Sequence, residues 1–219
     1  MDFYSQLVAA TAAERGALLA TPLIQAAMAG RVDRRQYIAF LTRAYHHVKH
    51  TVPLLMACGA RLGDDMEWLR SAVAHYIEEE IGHHEWILND IAAAGGDAEA
   101  VRHSQPDFDT ELMVAYAYDT VMRRNPVGLF GMVYVLEGTS VSLATNVAGV
   151  LQNALDLPAA AFTYLNSHGS LDIEHIGDFE RLVNRLENPV DRSSVVHGAK
   201  MFFPLYAKVL GNAGQEVAA

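Results

Sequence analysis

Six side chains in three stretches of this chain carry the donor types of a carboxylate-rich metal site. Glu80 and His83 stand in HYIEEEIGHHEW, Glu137 stands alone in FGMVYVLEGTSVSLA, and His168, Asp172 and His175 stand in YLNSHGSLDIEHIGDFE. Three carboxylates and three imidazoles from three predicted helices are the ligand inventory of a two-metal centre inside a helical bundle. Oxygen and imidazole donors suit iron or manganese, and zinc as well. A metal-dependent oxidative enzyme is the chemistry this set supports.

Each stretch has an ordinary structural reading beside the chemical one. Glu137 lies among Gly131, Met132, Val133, Val135, Leu136, Val141 and Leu143, in a helix with little polar face. Burying an unpaired carboxylate costs several kcal/mol, so it requires a cation, a metal or a good hydrogen bond. Tyr134, one turn away, is the ordinary alternative partner. His168, Asp172 and His175 fall within an arc of roughly 60° on one helical face. A solvated Asp–His pair would look the same, and a helix break at Gly169 would swing His168 off that face. Glu80 and His83 have the Glu-x-x-His spacing that presents two ligands inward in di-iron bundles. Glu79, one turn from His83, competes for the ligand role, and Glu78 and His84 allow an acidic exposed face instead. The coincidence of three such stretches separates a site from scattered polar residues.

A fourth cluster, Tyr45, His46, His47 and His50, offers His46 or His47 as an additional ligand, as a donor behind the ligands, or as a proton relay. Lys49 marks part of that surface as wet. His75, His103 and His197 read as ordinary scattered histidines. Cys58, in LLMACGARL, has apolar neighbours and no base nearby in sequence, so it reads as a buried inert thiol.

The elements that must position these residues are helical, because apolar residues recur at helical spacing and no segment alternates like a strand. The pattern predicts seven or eight helices in one domain over 1–219. The first runs from Phe3 to Met28, with a break near Pro22, and ends at Gly30. Asp33 caps the second, which Pro53 kinks. The third carries EWLRSAVAHYIEEEIGHHEWILNDIAAA to Gly95. A short helix occupies the stretch from Asp97 to Pro106, and a fifth starts near Asp107. The sixth begins at Pro126 and is nearly all apolar, hence central. One opened by Pro158 carries the last motif, and another runs from Asp191 with a kink near Pro204.

Composition bounds the function. The chain has 219 residues, 51% of them hydrophobic, and only seven prolines, which excludes disorder. A net charge of −10 makes nucleic acid or an anionic membrane an unsuitable partner. The longest apolar runs are about half a membrane span. One cysteine forms no internal disulfide, and MDFYSQLVAA has no secretory pattern, so a reducing cytoplasm is expected.

The quoted motifs, in their order and spacing over roughly residues 40 to 210, resemble those of the haem-oxygenase-like di-iron oxidases. That family lies in the superfamily containing thiaminase II (TenA) and pyrroloquinoline-quinone synthase. The resemblance implies an all-α, haem-oxygenase-like fold, a homodimer, and two irons per chain, the second more weakly held. It assigns Glu80, His83, Glu137, His168, Asp172 and His175 as ligands and O2 as co-substrate for oxidising a small organic molecule. Tyr118, Phe130, Met132 and Tyr134 are candidate pocket walls by type and position. Some members add a glutamate from the second helix, where this chain has histidines. The para-aminobenzoate-forming members use a lysine shortly after the Glu137 position, and this chain has no lysine between Lys49 and Lys200. Haem oxygenases use a histidine on the first helix, whereas the first histidine here is His46. A metal-independent enzyme like TenA or the quinone synthase, and a non-catalytic binding protein on the same fold, are the competing classes.

Overall fold

Long runs of apolar residues at three- and four-residue spacing, with few interior prolines, produce helix after helix. The computed structural model describes residues 1–211, and the side chains of all of these except 142, 145 and 168–175. In chain order the helices are α1 (Phe3–Ala10), α2 (Ala12–Leu19), α3 (Pro22–Met28), α4 (Arg34–Val48), α5 (Thr51–Arg61) and α6 (Glu67–Glu80). They continue with α7 (His83–Ala93), α8 (Ala98–His103), α9 (Phe108–Arg123), α10 (Leu129–Leu155), α11 (Thr163–Asn184) and α12 (Pro189–Gly211). No strand occurs among the described residues, as the all-α expectation requires.

Among the described residues, twelve α-helices replace the expected seven or eight because three long predicted helices are interrupted. The first falls into α1, α2 and α3. Its extra break is at Thr11, whose hydroxyl turns back to donate to the Leu7 carbonyl at 2.8 Å. The second breaks at Lys49–His50, ahead of Pro53. That proline sits in the first turn of α5, where no intrahelical bond needs the N–H it lacks. The third is divided at Gly82, whose φ of 92° is left-handed backbone that glycine adopts without strain. Gly169, by contrast, does not interrupt α11. Asp33 caps α4 as expected, in a reciprocal box with Gln36.

The apolar helix α10 is central, lying against α11 and α12 and also touching α3 and α9. Glycines let α12 approach it closely: a Cβ on Gly131 would stand 2.6 Å from the Val195 carbonyl oxygen, and one on Gly198 would meet the Gly128 carbonyl. Buried apolar residues form two clusters. One gathers Leu7, Leu55, Tyr76, Phe130, Phe179 and Phe202, and the other gathers Tyr37, Leu41, Ile87, Leu151 and Phe162. Among the described residues no single helix is long and apolar enough to cross a membrane.

Candidate metal centre

Glu80 is the last residue of α6 and His83 the first of α7, so the glycine break at Gly82 places the pair on two helices instead of one helical face. Both side chains are buried, and His83 Nδ1 stands 3.2 Å from Glu80 Oε2. The His83 ring stacks on Trp86 at 4.1 Å between centroids. The break also settles the register of the acidic triplet: Glu80 points into the interior, while Glu79 stands 3.4 Å from the exposed His75 and does not line the internal cavity described below.

Glu137 is buried on α10, and Tyr76 donates its phenolic hydrogen to Glu137 Oε1 at 2.5 Å. Tyr76 precedes Glu80 by one turn of α6, so one face of α6 carries both an acid and the donor that orients a second acid. Tyr134, the partner that spacing along α10 suggests, instead stacks on Phe179 and meets Tyr4 and Phe203 edge-on. Sequence reasoning misses Tyr76, although a tyrosine four residues before Glu80 is a readable signal.

Of the α4 histidines, His47 reaches this region. Its Nδ1 lies 2.9 Å from the Arg43 carbonyl oxygen, which only a protonated nitrogen satisfies. In the neutral ring Nε2 then carries the lone pair, the form in which imidazole accepts a proton or binds a metal. His46 faces the other way. Its Nδ1 receives a hydrogen bond from Lys49 at 3.2 Å, so Nε2–H donates to Ser104 Oγ at 2.9 Å. Burial, and then the Lys49 charge, push His46 down to about 4. His46 is thus a neutral structural imidazole outside the cavity. His50 is tied to the Tyr118 hydroxyl at 3.1 Å.

Glu80, Glu137, His47 and Tyr76 all line one cavity of about 160 Å³, together with Tyr206, Thr51, Ser140 and a largely apolar wall. Of the expected wall residues, Met132 lines it. Phe130 and Tyr134 lie on the neighbouring face of α10, in the core, and Tyr118 faces His50; none of the three lines this cavity. Cys58 does not line it either. Its thiol is buried 3.4 Å from the Pro126 carbonyl, and burial pushes it up to about 12, which removes it as a nucleophile.

His168, Asp172 and His175 fall on the continuous helix α11, but their side chains lie outside the described residues. The start of that helix is fixed from α7. Asp90, fully buried, accepts hydrogen bonds from the Tyr164 N–H at 2.9 Å, the Thr163 N–H at 3.1 Å and the Thr163 hydroxyl. Burial raises the Asp90 carboxyl, and these hydrogen bonds oppose that rise. Asp90, a further residue that sequence reasoning misses, ties the helix that begins with His83 to the helix that carries the last motif. Among the described residues no group of three or more His, Cys, Asp or Glu is clustered closely enough to hold a metal. The described donors, two carboxylates and imidazole nitrogen without thiolate, are nevertheless of the kind that fits iron.

Known structures share this architecture. A domain of unknown function with a heme oxygenase-like fold from Shewanella denitrificans is 27% identical, with a TM-score of 0.85 over 96% of this chain and 91% of that one. A TenA homologue from Pseudomonas syringae pv. tomato is 14% identical, with a TM-score of 0.79 over 98% and 93%. A heme oxygenase from Leptospira interrogans is 17% identical, with a TM-score of 0.74 over 97% and 100%. The last two likenesses show the fold alone, a haem-oxygenase-like one. Comparison with curated protein sequences gave no match. A family profile described as iron-containing redox enzyme matches residues 38–207, the span that holds the paired acids, most of the cavity lining and the α11 motif, and the chain belongs to that family.

Proposed function

We propose that this protein is a non-haem di-iron oxidase or oxygenase that uses O2 to oxidise a small organic molecule. Glu80, His83 and Glu137 would hold the metal with His168, Asp172 and His175, and His47, which lines the same cavity as Glu80 and Glu137, is the additional candidate nitrogen donor. The observation that carries the reading is the convergence of two buried carboxylates, from α6 and α10, and His47, from α4, on one cavity. Iron, when bound, supplies the electrons for O2 reduction.

The chain's own groups have separable tasks. Tyr76 holds the Glu137 carboxylate in one orientation through a short hydrogen bond. His47, fixed as the Nδ1–H tautomer, presents Nε2 as a ligand or proton acceptor. Burial pushes the Tyr206 phenol up to about 12, so it stays protonated beside the His47 ring and serves as a donor in the cavity. The apolar wall excludes water and strengthens each of these interactions. The inert Cys58 speaks against a TenA-like cysteine mechanism. Mössbauer spectroscopy of protein loaded anaerobically with ⁵⁷Fe(II) and then exposed to O2 tests the reading. A spin-coupled ferric pair is expected, and isolated mononuclear ferric iron would overturn it.

A further inference from the structure

We infer that Asp90 is a positioning residue for the metal site, because its carboxylate on α7 caps α11 from outside and fixes the register of the two helices; this rests on the reading that both carry ligands. The head of α11 has no cap of its own. Its N-cap residue is Phe162, whose ring offers no hydrogen-bond acceptor to the free N–H groups of the first turn. Asp90 supplies the acceptors across the helix contact. Its Oδ1 accepts from the Thr163 N–H and the Thr163 hydroxyl, and its Oδ2 accepts from the Tyr164 N–H. Both oxygens are committed to two successive residues, so α11 neither turns nor slides against α7 without breaking a bond. A slip of one residue would move every later position of α11 by about 1.5 Å and turn it by about 100°. A ligand set keeps its function only within about 0.5 Å of its working geometry.

The placement of this grip ties it to the site. Asp90 follows His83 by seven residues, two turns of α7, so the two buried side chains share one helical face. Beyond the grip, positions 168, 172 and 175 follow Thr163 on the uninterrupted helix α11. Asp90 thus stands where the helix of one ligand meets the helix of three others. Neighbouring groups brace it: Phe162 stacks on Tyr37 at 4.9 Å between centroids, and the Tyr37 hydroxyl donates to the Ala161 carbonyl at 2.7 Å. Tyr37 and Tyr164 both line the cavity that holds Glu80 and Glu137, so the same knot shapes that wall. Asp33 and Asp97 cap α4 and α8 from exposed positions in their own segments, whereas Asp90 is fully buried. Burying a carboxylate is a costly way to stabilise a helix end, and what it adds over an exposed cap is a single defined arrangement.

The test is anaerobic ⁵⁷Fe(II) titration of the full-length chain, with Mössbauer spectra taken at saturating iron. Asp90→Asn keeps the size of the side chain and one acceptor oxygen. It is expected to weaken Fe(II) binding about tenfold or more, as loss of a group that holds ligands in place does. Its quadrupole doublets are expected to be broader than those of wild type, because the ligand geometry then varies from molecule to molecule. Thr163→Val, which removes the hydroxyl and keeps the N–H, is expected to shift both readouts the same way by less, and Thr163→Ser to restore them. The control is Asp191→Ala, which removes the acid that Asn125 donates to at the head of α12, outside the four ligand-bearing helices. It is expected to lose stability while keeping iron affinity within about threefold and the line widths of wild type. Wild-type affinity and line widths in Asp90→Asn, or equal losses in Asp90→Asn and Asp191→Ala, would overturn the inference and leave the di-iron reading standing. Should Asp90→Asn not fold, Thr163→Val indistinguishable from Thr163→Ser overturns it in the same way. A wild-type chain that binds no iron overturns both.

Discussion

Replacing Tyr76 by phenylalanine removes one hydroxyl from a site where that hydroxyl donates to Glu137 Oε1 at 2.5 Å in the protein interior. Leaving a buried acceptor without its donor costs about 1–3 kcal/mol. Tyr76→Phe is therefore expected to lower the unfolding free energy of the metal-free protein by about 2 kcal/mol in urea. For a chain of this length that corresponds to about 4–8 °C in melting temperature. The same change lets the carboxylate rotate, and loss of a group that orients a ligand typically weakens metal binding about 10–100-fold. Anaerobic Fe(II) titration measures this second effect. The control is Tyr134→Phe, which keeps the ring stack on Phe179 and is expected to change stability by less than about 0.5 kcal/mol. If Tyr76→Phe costs less than about 0.5 kcal/mol and binds iron with wild-type affinity, the role given to Tyr76 is refuted.

Asp90→Ala strips three hydrogen bonds from the start of α11 and is expected to cost about 2–4 kcal/mol in chemical denaturation, with Asp90→Asn intermediate; a loss under about 0.5 kcal/mol would show that α11 is held otherwise. Burial alone would raise the Asp107 carboxyl, but hydrogen bonds from Thr110 and Arg43 outweigh it and hold the group below its ordinary value of 3.8. The stability it contributes is present above 3.8 and lost as pH falls through the lowered value, so the gap between wild type and Asp107→Asn should close in acid. A gap that widens below that pH would contradict the sign. Cys58 in the native protein should resist alkylation by iodoacetamide at pH 8 and react on unfolding, and Cys58→Ala should keep wild-type iron content; fast native alkylation would contradict its burial.

Helical periodicity makes the all-α architecture legible from sequence, and the lone acid in the apolar stretch of α10 points to the interior on sequence grounds alone. Where the helices break is less legible. The Gly82 break depends on one residue taking φ of 92°, which glycine permits but does not require. The Thr11 break is one residue at φ −117° and ψ 11°, and its hydroxyl bond to the Leu7 carbonyl is one that Thr42 and Thr120 make inside unbroken helices, so the residue type does not announce the break. Register within the triplet Glu78–Glu79–Glu80 is unreadable for the same reason, since a rotation of one residue decides which acid turns inward. Spacing along α10 directs the search for a Glu137 partner to its own helix. The partner comes instead from α6, across a contact that spacing along one helix does not encode.

We propose that acids and imidazoles from α6, α7, α10 and α11 hold the iron. Elemental analysis after anaerobic reconstitution with Fe(II) and removal of excess metal tests it directly, in wild type and in the Glu137→Ala and His175→Ala variants. About two irons per chain are expected in wild type and fewer than about one in either variant, with the fold retained by circular dichroism. Less than one iron per wild-type chain, or a content unchanged by both substitutions, would contradict the claim.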